Sequence, residues 1–358
     1  MSGRAQIVFW LLGALALAIL LYLLRGIMLP FVAGFGIAYL LDPVADRMEA
    51  RGLSRTLSTS IVVLVFFGLL ALAIVLLAPV VERQVAGLVN RVPDLIERGR
   101  EELLPVIGSF LEMLHIDVVG EVKGAVAGSA DRAAGAVTNV LQRILGGGLA
   151  FIHVVLLLVI TPIVAFYMLR DWDRLVARID SWLPREHAET IRAEMREISD
   201  VLAGFMRGQA IVCAVLGTYY AIALSAAGLQ YGLLIGLITG ALVFIPFVGT
   251  TFGLIASMSI AAVQFWPDWK RIAVVLAIFA VGHFAESNII SPRLVGEKVG
   301  LHPVWIIFSL LAFATLFGFL GVLLAVPAAA VIGVLVRFAV RRYLASPIYL
   351  GRGPPGSA

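Results

Sequence analysis

The polar residues that stand out in this chain do so because their surroundings are apolar. Glu286 lies in the stretch AVGHFAESNIISP. A carboxylate in hydrocarbon is costly unless it faces a cavity or a partner, so it marks either a substrate or proton pathway or a buried contact that fixes helix packing. His283 precedes it by three residues and shares its helical face, and Asn288 adds an amide just after it. Thr250 and Thr251 offer hydroxyls, and Gln209, Tyr219 and Tyr220 are further candidates to line a polar cavity. The spacing His283-x-x-Glu286 invites a metal reading. The chain has no HExxH, no second histidine near this pair and only one cysteine, Cys213, so neither a metal nor a cofactor is expected. No nucleophile stands beside a base and no phosphate-binding GxxxxGK[ST] loop is present, which points away from an enzyme and from ATP-driven work by this chain.

The elements that carry these residues are helical and apolar. Of 358 residues, 61% are hydrophobic and 14% charged, where a soluble protein carries about a quarter charged residues. The expected fold is therefore all-α, a polytopic transmembrane protein whose first partner is the lipid bilayer. The net charge of +4 is not read as a sign of nucleic acid, because the arginines sit between apolar runs, where they act as topology signals. Segment 1–79 is expected to hold the N-terminal membrane helices, with a retained crossing over 7–24, a shorter apolar run over 27–41 closed by Asp42-Pro43, and a third helix that stops before Pro79. In 80–148 charges of both signs appear with apolar residues at helical spacing, which predicts an extramembrane amphipathic insert.

Segment 149–169 crosses again. Segment 170–207 carries seven arginines and reads as an amphipathic linker helix beside the membrane, with Arg207 as an interfacial anchor. The core, 208–342, opens with residues 208–267, which contain no charged side chain, enough for about three crossings of roughly 20 residues each. Segment 343–358 is expected to be a flexible tail. About eight crossings result, with short broken or re-entrant helices among them, and both termini fall on the cytoplasmic side if the arginine-rich loops do.

Two backbone features organise the core. Gly228, Gly232, Gly236 and Gly240 recur every four residues, the spacing that leaves one helix face bare for close packing. Pro246, Gly249 and Gly253, then Pro292, then Gly318 and Gly321, are expected to break helices and free backbone groups, which hydrocarbon tolerates only beside protein or a water-filled cavity.

The strings FYMLRDWDRL (166–175), RGQ (207–209), GLLIGLITGALVFIPFVGTTFG (232–253), NIISPRLVGEKVGLHP (288–303) and LFGFLGVLLAVP (316–327) resemble the AI-2E, or autoinducer-2 exporter, family of bacterial membrane proteins. The resemblance covers nearly the whole chain. It implies an inner-membrane secondary transporter or permease that works as a homo-oligomer, a pentamer among the sizes it allows. For cargo it implies efflux of the quorum-sensing signal autoinducer-2, with sodium or lithium/proton antiport as an alternative; apart from the resemblance, a non-transporting scaffold or passive oligomeric pore that uses the 80–148 insert for partners is a further reading. A small polar furanone calls for hydroxyls and amides, which Thr250, Thr251, Asn288 and Gln209 supply, whereas Glu286 suits proton coupling.

Overall fold

A computed structural model describes residues 3–98, 135, 148–294 and 302–350, and every regular element among them is helical. The helices are α1 (Gly3–Leu24), α2 (Leu29–Glu49), α3 (Arg55–Arg98), α4 (Gly148–Ser181), α5 (Ala188–Ala226), α6 (Gly232–Leu242), α7 (Val248–Phe265) and α8 (Trp269–Ala285). A π turn over Glu286–Ile290 runs into α9 (Ser291–Leu294), and α10 (Pro303–Phe317), α11 (Phe319–Leu344) and α12 (Pro347–Leu350) follow. Among the described residues six helical segments are long and apolar enough to cross a membrane, and α6 and α10 are shorter apolar helices. The chain is an all-α polytopic protein. Most of the expected insert, 99–134 and 136–147, lies outside the described residues, as do 295–301 and 351–358.

Several expected helix ends move. Asp42-Pro43 does not close α2, which continues to Glu49 with Pro43 inside it, and α3 runs through Pro79 to Arg98. Proline forfeits one backbone hydrogen bond and kinks a helix without being obliged to end it. Residues 347–350, expected within the tail, form α12.

The chain divides into two compact units. The first comprises Met1–Phe66, Leu156–Gly208 and Leu294–Ala358. Here α2 lies close to α4, since a Cβ on Gly34 would come within 2.8 Å of the Val164 side chain and 3.0 Å of the Thr161 carbonyl. One end of this unit is tied by charge. Arg55 reaches Asp42, Asp46 and Glu49 on α2 and donates through Nε to the Leu169 carbonyl at 3.0 Å. Arg192 forks onto both oxygens of Asp180 at 2.7 and 2.9 Å and also reaches Glu189; these hydrogen bonds hold the Asp180 carboxyl below the usual carboxylate range. Arg337 and Arg341, in and near the last turn of α11, meet Glu197 and Glu194 near the start of α5. Arg341, in the last turn of α11, also offsets the negative end of that helix's dipole.

The second unit comprises Phe67–Val155 and Gln209–Arg293. Its centre is α6, packed backbone to backbone. A Cβ on Gly232 would come within 2.8 Å of the Leu224 carbonyl carbon, one on Gly236 would meet the Ala221 backbone, and one on Gly240 would meet Gly217 and the Cys213 carbonyl. The face of α6 that carries Gly232, Gly236 and Gly240 thus lies on α5. Gly228 differs: it sits at φ +75° in the turn before α6, where its freedom to adopt a left-handed backbone is used instead.

Candidate functional site

The second unit gathers most of the polar candidates. Thr250, in the first turn of α7, donates from Oγ1 to Glu286 Oε2 at 3.0 Å, and both side chains are half-buried. Glu286 opens the π turn, whose wider loop leaves the α-helical ladder out of step. Asn288 Nδ2 answers by donating to the Phe284 carbonyl at 3.0 Å, and the Ser291 amide bonds back to the Glu286 carbonyl. Asn288 therefore supports the turn that presents Glu286. His283 and Thr251 are exposed and form no part of this contact.

Gln209 is 8% exposed and donates from Nε2 to the Val243 carbonyl at 2.7 Å. Val243 is the residue that ends α6, so this amide satisfies a carbonyl freed at the helix terminus. The interruption occupies residues 243–247, with Pro246 inside it and Phe247 at φ +68°, a left-handed backbone that bulky residues rarely hold. Gly249 and Gly253, expected in the break, lie within α7 instead. With Ser257 and Ala261 they form a four-residue repeat along its buried face. A Cβ on Gly249 would meet Val243 and one on Gly253 the Thr239 side chain, so these glycines let α7 close on α6. Pro292 falls inside α9, after the π turn that forms the interruption there. In the first unit Gly318 is the joint between α10 and α11, at φ +62° and ψ −138°, but Gly321 lies inside α11, where a Cβ would meet the Phe313 carbonyl.

Three hydroxyls complete the interior of the second unit. Tyr220 on α5, Thr239 on α6 and Ser257 on α7 are each 0% exposed, and their oxygens have no hydrogen-bond partner among the described residues. Tyr220 stacks on Phe279 of α8 with ring centroids 4.7 Å apart and seats its hydroxyl against Gly282. Glu286 is near enough to act electrostatically on Tyr220 and on Cys213. Buried unpaired hydroxyls are costly, so these three are unmet hydrogen-bonding capacity in the interior of this unit. Tyr220 could be found in the sequence as a tyrosine in a charge-free stretch. Ser257 carried a weaker signal, its place four residues after Gly253, and Thr239 carried none.

Comparison with known proteins decides the family. The model of the family described as AI-2E family transporter matches residues 8–341. The chain belongs to the AI-2E transporter family. Within the wider set of similar proteins, YrrI of Bacillus subtilis (strain 168), named as a transport protein, is 31% identical over 319 residues, covering 87% of this chain and 86% of its own. PerM of Escherichia coli (strain K12), named as a permease, is 26% identical over 316 residues, 87% of either chain. The AI-2 transport protein TqsA of the same organism is 25% identical over 305 residues, covering 84% of this chain and 83% of its own. Transport across a membrane is thus the family's business, and the all-α architecture agrees with it.

Proposed function

We propose that the chain is a secondary transporter of the bacterial inner membrane that exports a small, uncharged, hydroxyl-rich solute of the autoinducer-2 kind, assembled as a homo-oligomer with both termini cytoplasmic. The observation that carries this reading is the Thr250–Glu286 contact in a unit that also buries three unpaired hydroxyls. A polyhydroxylated molecule trades its water hydrogen bonds for these groups, and an isolated carboxylate accepts from its hydroxyls. The name of the TqsA relative supports the cargo class. The broken backbone at 243–247 and the π turn are the elements on which alternating access would turn.

Glu286 supports a second reading, sodium or lithium/proton antiport, because one carboxylate in an otherwise charge-free stretch can exchange a proton for a cation. Reconstituted liposomes separate the two. Labelled autoinducer-2 should leave preloaded vesicles faster with protein than without, and Glu286→Gln should slow that efflux about tenfold or more, the scale of one lost charge-assisted hydrogen bond. If instead only a sodium or lithium gradient drives proton movement, and the variant abolishes it, antiport is the function. Full activity of Glu286→Gln in both assays would remove this residue from the site.

A further inference from the structure

The first unit contains a cavity that the transport site does not use. It has a volume of about 100 Å³ and lies between α2, α4 and α5. Roughly 10–15 Å³ accommodates one water, so the space suits a small organic molecule or a lipid headgroup rather than a single ion. One side is a continuous aromatic wall: Phe35, Tyr39 and Trp172 have ring centroids 5.1 to 5.7 Å apart, tilted or edge-on. Aromatic faces attract cations within about 6 Å, ammonium groups included.

The two ends of the cavity carry opposite charge. The Tyr39 hydroxyl faces the Ser199 hydroxyl at 3.3 Å, and a Cβ on Gly36 would meet the Met206 methyl, so α2 and α5 run antiparallel here. Arg207, next to Met206, is therefore level with Phe35, whereas Asp42 lies seven residues further along α2, about 10 Å away. Both line the cavity. The Asp42 end is acidic. Only its Oδ1 is engaged by Arg55, at 2.6 Å, and that single guanidinium is shared with Asp46 and Glu49. Asp173 also lies near enough to act on Asp42. At the other end Arg207 makes no hydrogen bond or ion pair among the described residues. An uncommitted guanidinium, an aromatic wall and a half-used carboxylate in sequence match a molecule with an anionic group at one end and an ammonium at the other.

We infer that this cavity binds a small zwitterion in which a phosphate pairs with Arg207 and a primary ammonium lies on the Phe35/Tyr39/Trp172 wall against Asp42. Phosphoethanolamine has this chemistry, either free or as the headgroup of a membrane lipid. The inference stands apart from the transport reading, since it is tested by binding without flux.

The test uses the purified full chain in detergent, titrated with phosphoethanolamine while tryptophan fluorescence and heat are recorded, with Trp172→Phe identifying the optical signal. Saturable binding is expected, with ethanolamine and inorganic phosphate each weaker by about tenfold or more. Arg207→Gln should bring the affinity for phosphoethanolamine down to that for ethanolamine, and Asp42→Asn down to that for phosphate. Because Asp42 also serves Arg55, the exposed Arg207 variant keeps the test decisive should Asp42→Asn fold poorly. The source is settled in lipid nanodiscs by native mass spectrometry. Retention of phosphatidylethanolamine over phosphatidylglycerol, lost in Arg207→Gln, assigns the site to a lipid headgroup, and equal retention alongside binding of the free compound assigns it to a solute. Equal affinity for phosphate alone, binding unchanged by Arg207→Gln, or no binding of either source overturns the inference.

Discussion

In the second unit the contacts that fix the helices set backbone against backbone, at Gly236 on Ala221, Gly240 on Gly217 and Gly249 on Val243. The first unit has close contacts of its own at Gly34 and Gly321 but adds guanidinium against carboxylate, at Arg55, Arg192, Arg337 and Arg341. The difference follows from where the charged side chains lie in each unit. Where no charge is present, close approach of bare helix faces supplies the attraction; where charged side chains gather at helix ends, ion pairs serve. Contacts of the first kind tolerate no added atom, and those of the second tolerate small losses and respond to salt and pH.

Substitutions can erase this contrast from either side. The largest effect should come from Gly236→Val, whose side chain would occupy the space of the Tyr220 and Ala221 backbone; a cost above about 3 kcal/mol is expected, beyond ordinary overpacking. Aggregation on size-exclusion chromatography would report it, with Gly68→Ala, in open space on α3, as a control that stays folded. Next is Arg55→Met, which leaves three carboxylates on α2 uncompensated. Their partial exposure limits the loss to roughly 2 kcal/mol, visible as a lower thermal midpoint that Asp46→Asn with Glu49→Gln should partly restore. Gln209→Leu orphans the Val243 carbonyl and should cost about 1–3 kcal/mol, read in the same melt.

Thr250→Val separates packing from transport. It removes one half-buried hydrogen bond worth about 1 kcal/mol, so efflux from liposomes should fall several-fold while the melting curve moves little. A stability loss without a flux change would make Thr250 a packing residue. The smallest effect belongs to Asp180→Asn on the exposed end of the first unit. The Asp180 carboxyl is held below its ordinary value, so its stabilisation is complete above that value and is lost as pH falls through the depressed one. The variant and the parent should differ slightly in melting at neutral pH and converge in acid.

Much of the second unit could be anticipated from residue types. Spacing by four placed Gly232, Gly236 and Gly240 on one face, and the cost of a lone carboxylate singled out Glu286 before any partner was known. Other features were not legible. Gly249 and Gly253 follow a proline and read as a continuing break, yet the helix restarts at Val248 and uses them for packing; glycine alone does not reveal whether its freedom or its smallness is needed. The π turn has no compositional mark at all. The bond from Asn288 to the Phe284 carbonyl that accompanies it is a relation that appears only in three dimensions. The cavity in the first unit was equally hidden, because Phe35, Trp172 and Arg207 come from three distant segments and each has an ordinary explanation by itself.

The π turn at Glu286 also sets the phase of the helix beyond it. It accommodates one residue more than an α-helical turn would, so the helix after Ile290 is rotated by about 100° from where an uninterrupted α-helix would carry it. Pro292 and Arg293 owe their facing to that extra residue. Deleting a single residue within 286–290 would therefore act less like a small truncation than like turning a key by a little more than a quarter revolution, re-aiming every residue downstream in the helix by that angle.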